Sequence, residues 1–246
     1  MMVPRKGRSA PSNPLDGSSV LRHVLERTRA DIEQARTRRS SVNEQLSFAI
    51  YFARHFGAAI AEAFAPEFGG ENMASGEVEH TSADGEKRID VSYSRRQSGL
   101  GFMISLKSVH RGERENGNAR FTHNLKRNDE ELRVEATALH IRQPYAVLVA
   151  AMILPFEACF DGWKHGRDGK LTSSFARWVE KFWTLKGRTE PEDAPDQFEL
   201  VFIVLYARDG SELGFYEVGG SVPCPRVGRP ASLLSFEQFI GRVKNV

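Results

Sequence analysis

The stretch RIDVSYSRRQSGLGFMISLK, residues 88–107, decides the fold because it alternates polar and apolar side chains in two separate runs. Arg88 to Tyr93 alternates through Arg88, Ile89, Asp90 and Val91, and Gly101 to Val109 sets Phe102, Ile104 and Leu106 against Met103, Ser105 and Lys107. Period two means strands. Upstream, Gly76 to Thr81 alternates Glu77, Val78, Glu79 and His80, and Asp84-Gly85 between the first two runs is a strong two-residue hairpin signal. Three adjacent strands are expected.

Working outward, Leu46, Ile50, Ala53, Phe56, Ile60 and Phe64 recur at helical spacing over about Val42 to Phe64, with Pro66 and Gly69-Gly70 expected to stop the helix. Ser41 fits its N-cap, with Glu44 completing a capping box. A weaker helix is expected from about Ser19 to Arg39. Downstream come a polar loop from His110 to Arg120, a helix from about Asn124 to Arg142, and the almost continuously apolar run Tyr145 to Leu154. Such a run suits a central strand covered on both faces. Further helix is expected near Phe156 to Cys159 and across Ser173 to Leu185, followed by an acidic loop from Arg188 to Asp196. Phe198 to Tyr206 and Leu213 to Val218 read as a hairpin around Asp209-Gly210, and Leu234 to Val243 as a closing helix. The economical reading is one α/β domain over residues 19–246 with a mixed central sheet flanked by helices, after a disordered basic tail over residues 1–18.

The 246 residues are 40 % apolar and 27 % charged, enough to bury one sizeable core. Thirty-four Lys and Arg against thirty-two Asp and Glu leave +2, so composition alone does not announce nucleic-acid binding. Between Arg5 and Arg39, however, nine Lys or Arg face four acids, which reads either as a phosphate-contacting arm or as a solvated helical face. Cys159 and Cys224 are too few for a disulfide framework, and neither a secretory signal nor a membrane span is visible. A cytoplasmic protein without a membrane partner is expected.

A tight Asp84-Gly85 turn would place Glu79 directly opposite Asp90, with Val78 opposite Val91. Two facing carboxylates repel unless a positive charge separates them, and a divalent metal would do so. If the third strand pairs beside the second, Lys107 comes near Asp90; the plainer reading of Lys107 is a surface ion pair with an acid.

At these residues the sequence resembles the PD-(D/E)XK, or restriction endonuclease-like, nuclease superfamily. Asp90 matches the first acid of that family's motif and Lys107 its lysine, and the segment from Asn124 to Glu135 with His140 and Pro144-Tyr-Ala-Val resembles the helix and strand that follow the core. The resemblance covers roughly residues 42 to 155. Ser105 stands where the family usually has Asp or Glu. Family members are known to move this acid elsewhere, and the substitutes here are Glu79, Glu44, and Glu131 or Glu135; Glu79 has the better geometric argument.

What the resemblance implies is a restriction endonuclease-like fold and a Mg²⁺-dependent endodeoxyribonuclease acting on double-stranded DNA in a bacterial or phage defence or repair setting. Asp90, a second acid and the carbonyl of Leu106 would hold Mg²⁺, while Lys107 positions the attacking water. Restriction-type nucleases often dimerise to cut both strands, so a homodimer is the implied assembly. Arg111, Arg114, Arg120, Lys126 and Arg127, with Asn124 and Asn128, would supply phosphate contacts; the plainer reading is a charged loop and a helix with pairs such as Arg127 and Glu131. The alternative from another class is a DNA-binding or assembly protein that kept the fold and lost the chemistry. The seven histidines lack zinc-ligand spacing, and Trp163, Trp178 and Trp183 read as packing residues.

Overall fold

In the computed structural model, which describes residues 16–38, 44–82, 85–109, 121–165 and 170–246, the apolar run predicted to be central is so placed. The sheet contains β1 (Met73–Ser82), β2 (Gly85–Arg95), β3 (Gly99–Ser108), β4 (Val147–Pro155), β7 (Leu200–Tyr206) and β8 (Leu213–Glu217), in the spatial order β1-β2-β3-β4-β7-β8. The pairs β3–β4 and β4–β7 are parallel and the others antiparallel. A separate small hairpin, β5 (Trp163–His165) with β6 (Lys170–Thr172), follows β4. The fold is α/β.

Among the described residues, five helices cover the sheet: α1 (Gly17–Arg38), α2 (Glu44–Phe68), α3 (Leu125–His140), α4 (Ser174–Trp183) and α5 (Phe236–Lys244). Because strand side chains alternate, β4 sends Val149, Ala151 and Ile153 to one core and Leu148, Ala150, Met152 and Leu154 to the other. The first core is completed by α1, α2 and α5, including Leu21, Phe56 and Phe239; the second by α3 and α4, including Leu132, Leu139, Trp178 and Phe182. Parallel neighbours need a crossover, and α3 and α4 provide the two crossovers on the same side. Among the described residues, no helix is long and apolar enough to cross a membrane.

Two close approaches lock α2 onto the β2–β3 pair. A Cβ at Gly57 would lie 3.3 Å from the Asp90 carbonyl oxygen, 3.3 Å from Val91 Cγ2 and 3.5 Å from Leu106 Cδ1, so the helix rides directly on the strands that carry the candidate residues. Nearer its end, Phe64, Phe68, Tyr93 and Phe102 form one aromatic cluster, with centroids 4.7 Å apart for Phe68 and Tyr93 and 4.9 Å for Phe64 and Phe102. Tyr93 lies over Gly101, where an added Cβ would come within 2.7 Å of its ring.

Several expectations shift. Helix α2 runs through Pro66 to Phe68 and ends at Gly69, whose φ is 81°. A proline in the last turn removes one helical bond, and the docking of Phe68 in the aromatic cluster offsets it. Helix α1 starts at Gly17, where the sequence places its start at about Ser19. The turn register also differs: Ser82 pairs with Gly85 and Glu79 with Arg88, so Glu79 is not directly opposite Asp90. On β1 the ladder shifts between Ser75 and Val78, leaving Gly76 and Glu77 against the single residue Asp90.

The acidic loop is held down from within. Arg188 is fully buried; its guanidinium donates to the carbonyls of Pro144 at 2.9 Å, Pro191 at 2.8 Å and Asp193 at 2.6 Å, and Nε stands 3.1 Å from Glu199 Oε1. His140, the last residue of α3, reaches the same loop through Nδ1, which donates to the Pro195 carbonyl at 2.9 Å.

Candidate functional site

The site forms where the β2–β3 ladder opens. The last paired positions at this end are Val91 and Ile104, and one step further Asp90 would face Ser105. There the Asp90 carboxylate replaces the backbone ladder, accepting the Leu106 N–H on Oδ2 at 2.8 Å. Val91, Ile104 and Leu106 point into the core beneath α2. Alternation therefore turns Asp90, Ser105 and Lys107 to the face that α3 covers.

Helix α3 brings the second carboxylate. Leu132, Ala136 and Leu139 are buried on its inward face, and Glu135 shares that face with only 11 % of its side chain exposed. The Ser105 hydroxyl donates to Glu135 Oε2 at 2.9 Å, and Lys107 Nζ stands 3.8 Å from the same oxygen. Lys107 is also 3.9 Å from Glu131 Oε2, whose other oxygen accepts Arg127 Nε at 2.7 Å. A lone buried carboxylate would be strongly disfavoured, and here a hydroxyl and an ammonium compensate it.

The helix is tied in place on its other side. Arg133 donates to Asp196 at 2.5 Å and to the Thr184 carbonyl at 3.0 Å, and the buried Asp129 stands 2.8 Å from Lys181 on α4. These contacts fix the rotation of α3 that aims Glu135 at Ser105.

The structure thus gathers Ser105, Lys107, Glu131 and Glu135, with Asp90 and Leu106 bonded to each other on the adjoining strands. Lys107 is paired with acids, as its plainer reading expects, but the partners are on α3 and one of them, Glu135, is buried rather than at the surface. Glu79 lies on β1 against Arg88, and Glu44 is the first residue of α2; the side chains of both fall outside the described residues. Ser41, Arg111, Arg114 and Arg120 also lie outside them. Lys126 and Arg127 are exposed on the first turn of α3, and Asn124, with φ 62°, precedes it without a side-chain capping bond. Trp178 packs as expected, donating Nε1–H to the Phe121 carbonyl at 2.6 Å. Trp183 is exposed, against the packing expectation, because α4 ends there.

The donor set suits a hard cation. Asp90 and Glu135 offer carboxylates and Leu106 a carbonyl, all oxygen, and Mg²⁺ is commonly held by one or two carboxylates with water and phosphate completing its shell. Among the described residues, no three or more His, Cys, Asp or Glu side chains gather in a metal-binding group.

Compared with protein-family models, curated proteins and solved structures, the chain matches none.

Proposed function

We propose that the chain is a Mg²⁺-dependent endonuclease that hydrolyses phosphodiester bonds of double-stranded DNA, built on a restriction endonuclease-like core with its second acid on the crossover helix. The observation that carries this reading is the Ser105–Glu135 bond beside Lys107: a carboxylate from α3 comes to the strand position where the motif lacks one. Asp90, Glu135 and the Leu106 carbonyl are the groups that would hold the ion. When bound, it would polarise the scissile phosphate and acidify a coordinated water.

The protein's own residues have separable roles. Ser105 holds Glu135 in orientation through its hydroxyl. Lys107 orients the attacking water and offsets the negative charge on the non-bridging phosphoryl oxygens as the new P–O bond forms and the leaving oxygen departs. Asp90, anchored by the Leu106 N–H, keeps the two strands at a fixed separation. A homodimer would place one such site on each strand of the duplex.

The second reading, a DNA-binding or assembly protein without catalysis, is favoured by the neutral Ser105 and by the involvement of Lys107 with two carboxylates. Plasmid cleavage with and without Mg²⁺ separates the two. Lys107→Ala is expected to lower the cleavage rate by on the order of 10²–10³-fold while DNA binding persists. Binding by the unaltered protein without any metal-dependent nicking would overturn the enzymatic reading.

A further inference from the structure

The first turn of α3 carries Lys126 and Arg127 and no acid, the reverse of what helix stability favours. Such a local conflict calls for a reason elsewhere in the molecule. Beside this turn is a cleft of about 510 Å³ whose walls come from the α3 approach and from α4. Among the described residues, Lys126, Arg127 and Arg177 line it together with Thr122, Asn124 and Leu125, and Glu130 is the one acid among these. Among the described residues that line it there is no aromatic ring for a base to stack on, whereas an oxyanion would meet guanidinium and ammonium donors.

The ion pairs of Lys126 and Arg127 do not bury either cation. Lys126 stands 3.5 Å from Glu130 and Arg127 bonds Glu131, but both cations are largely exposed, and exposed pairs contribute little and exchange readily. Arg127 also connects the cleft to the strands, since its partner Glu131 is the residue 3.9 Å from Lys107.

We infer that this cleft seats a backbone phosphate of the DNA strand adjacent to the phosphate that is cut, gripped by cations from two helices without regard to sequence. The inference rests on the nuclease reading and extends it to Arg177, on an element outside the β2–β3–α3 constellation. A phosphate held there would set the register of the strand relative to Lys107.

The test uses full-length Lys107→Ala protein, titrated by fluorescence anisotropy with labelled duplexes of two unrelated sequences across a salt series. Adding Arg177→Gln, or separately the fully solvated Lys126→Gln, is expected to weaken both duplexes alike and to reduce the slope of log K against log salt by about 1. Unchanged affinity and slope in both variants would overturn the cleft, and so would weakening confined to one sequence, which means base reading. If the unaltered protein cleaves plasmid while the slopes stay unchanged, the cleft alone fails. Absence of binding to either duplex would remove the cleft and the nuclease reading together.

Discussion

Ser105 on β3 donates its hydroxyl hydrogen to Glu135 on α3 across 2.9 Å, joining a strand to the crossover helix that follows it. The bond is buried and lies 3.8 Å from the Lys107 ammonium at its acceptor oxygen. It makes serine a fitting residue at a position where a carboxylate would face the charge of Glu135.

Replacing Ser105 with Ala removes one donor from a buried carboxylate and is expected to lower unfolding free energy by about 1–3 kcal/mol in urea titrations. Ser105→Asp is expected to destabilise more, through repulsion between two carboxylates. Divalent cations should then raise its Tm more than that of the unaltered protein. Equal responses to Mg²⁺ would contradict a cation site between these residues.

Glu135→Gln keeps the shape and an acceptor for Ser105 while removing the charge. Cleavage should be lost with the fold retained, as read by plasmid nicking alongside circular dichroism. The same exchange at Glu131, which is more exposed, should reduce cleavage far less.

Gly101→Ala would drive a methyl to within 2.7 Å of the Tyr93 ring. The expected loss is about 1–3 kcal/mol, because the displaced ring also packs on Phe68 and Phe102. Pairing with Tyr93→Leu in a double-mutant cycle should recover much of it.

Asp31 clasps α1 to α2, accepting from Arg54 and standing 2.8 Å from His55 Nε2. Burial pushes the carboxyl upward, but its bonds to His55 and Arg54 outweigh that and hold it below its ordinary value. A lowered acid stabilises the fold above its unfolded pKa of about 3.9, and the contribution disappears as pH falls through the lower folded value. Asp31→Asn should therefore be less stable than the unaltered protein at pH near 7 and similar to it in acid below the lowered folded value. A gap that persisted in acid would reject the electrostatic account.

The strands were readable because Phe102, Ile104 and Leu106 alternate with Met103, Ser105 and Lys107, and the two sets enter different environments as the pattern requires. Their partners were less readable. One step in the turn moves every cross-strand pair by two residues, so Glu79 met Arg88 although the alternation itself was correct. Glu135 carried a usable signal as an acid among Leu132, Ala136 and Leu139 on the inward face of α3. On the sequence Glu79 still comes ahead of it, because a hairpin neighbour is easier to place than a helix beyond a loop. Arg188 gave no signal, since a cation in an acidic, proline-containing segment looks solvated until carbonyls from three positions close around it. The β5–β6 hairpin has only three residues per strand, too few to show a period.

The acid and its serine are separated by 30 residues of chain and meet only when α3 lies down on the sheet. Slackening the ties from Arg133 or Asp129 would lift Glu135 away while β3, β4 and β7 stay hydrogen-bonded. On the proposed reading, a chain whose α3 is displaced would keep a hydrogen-bonded sheet and yet be silent as a cutter.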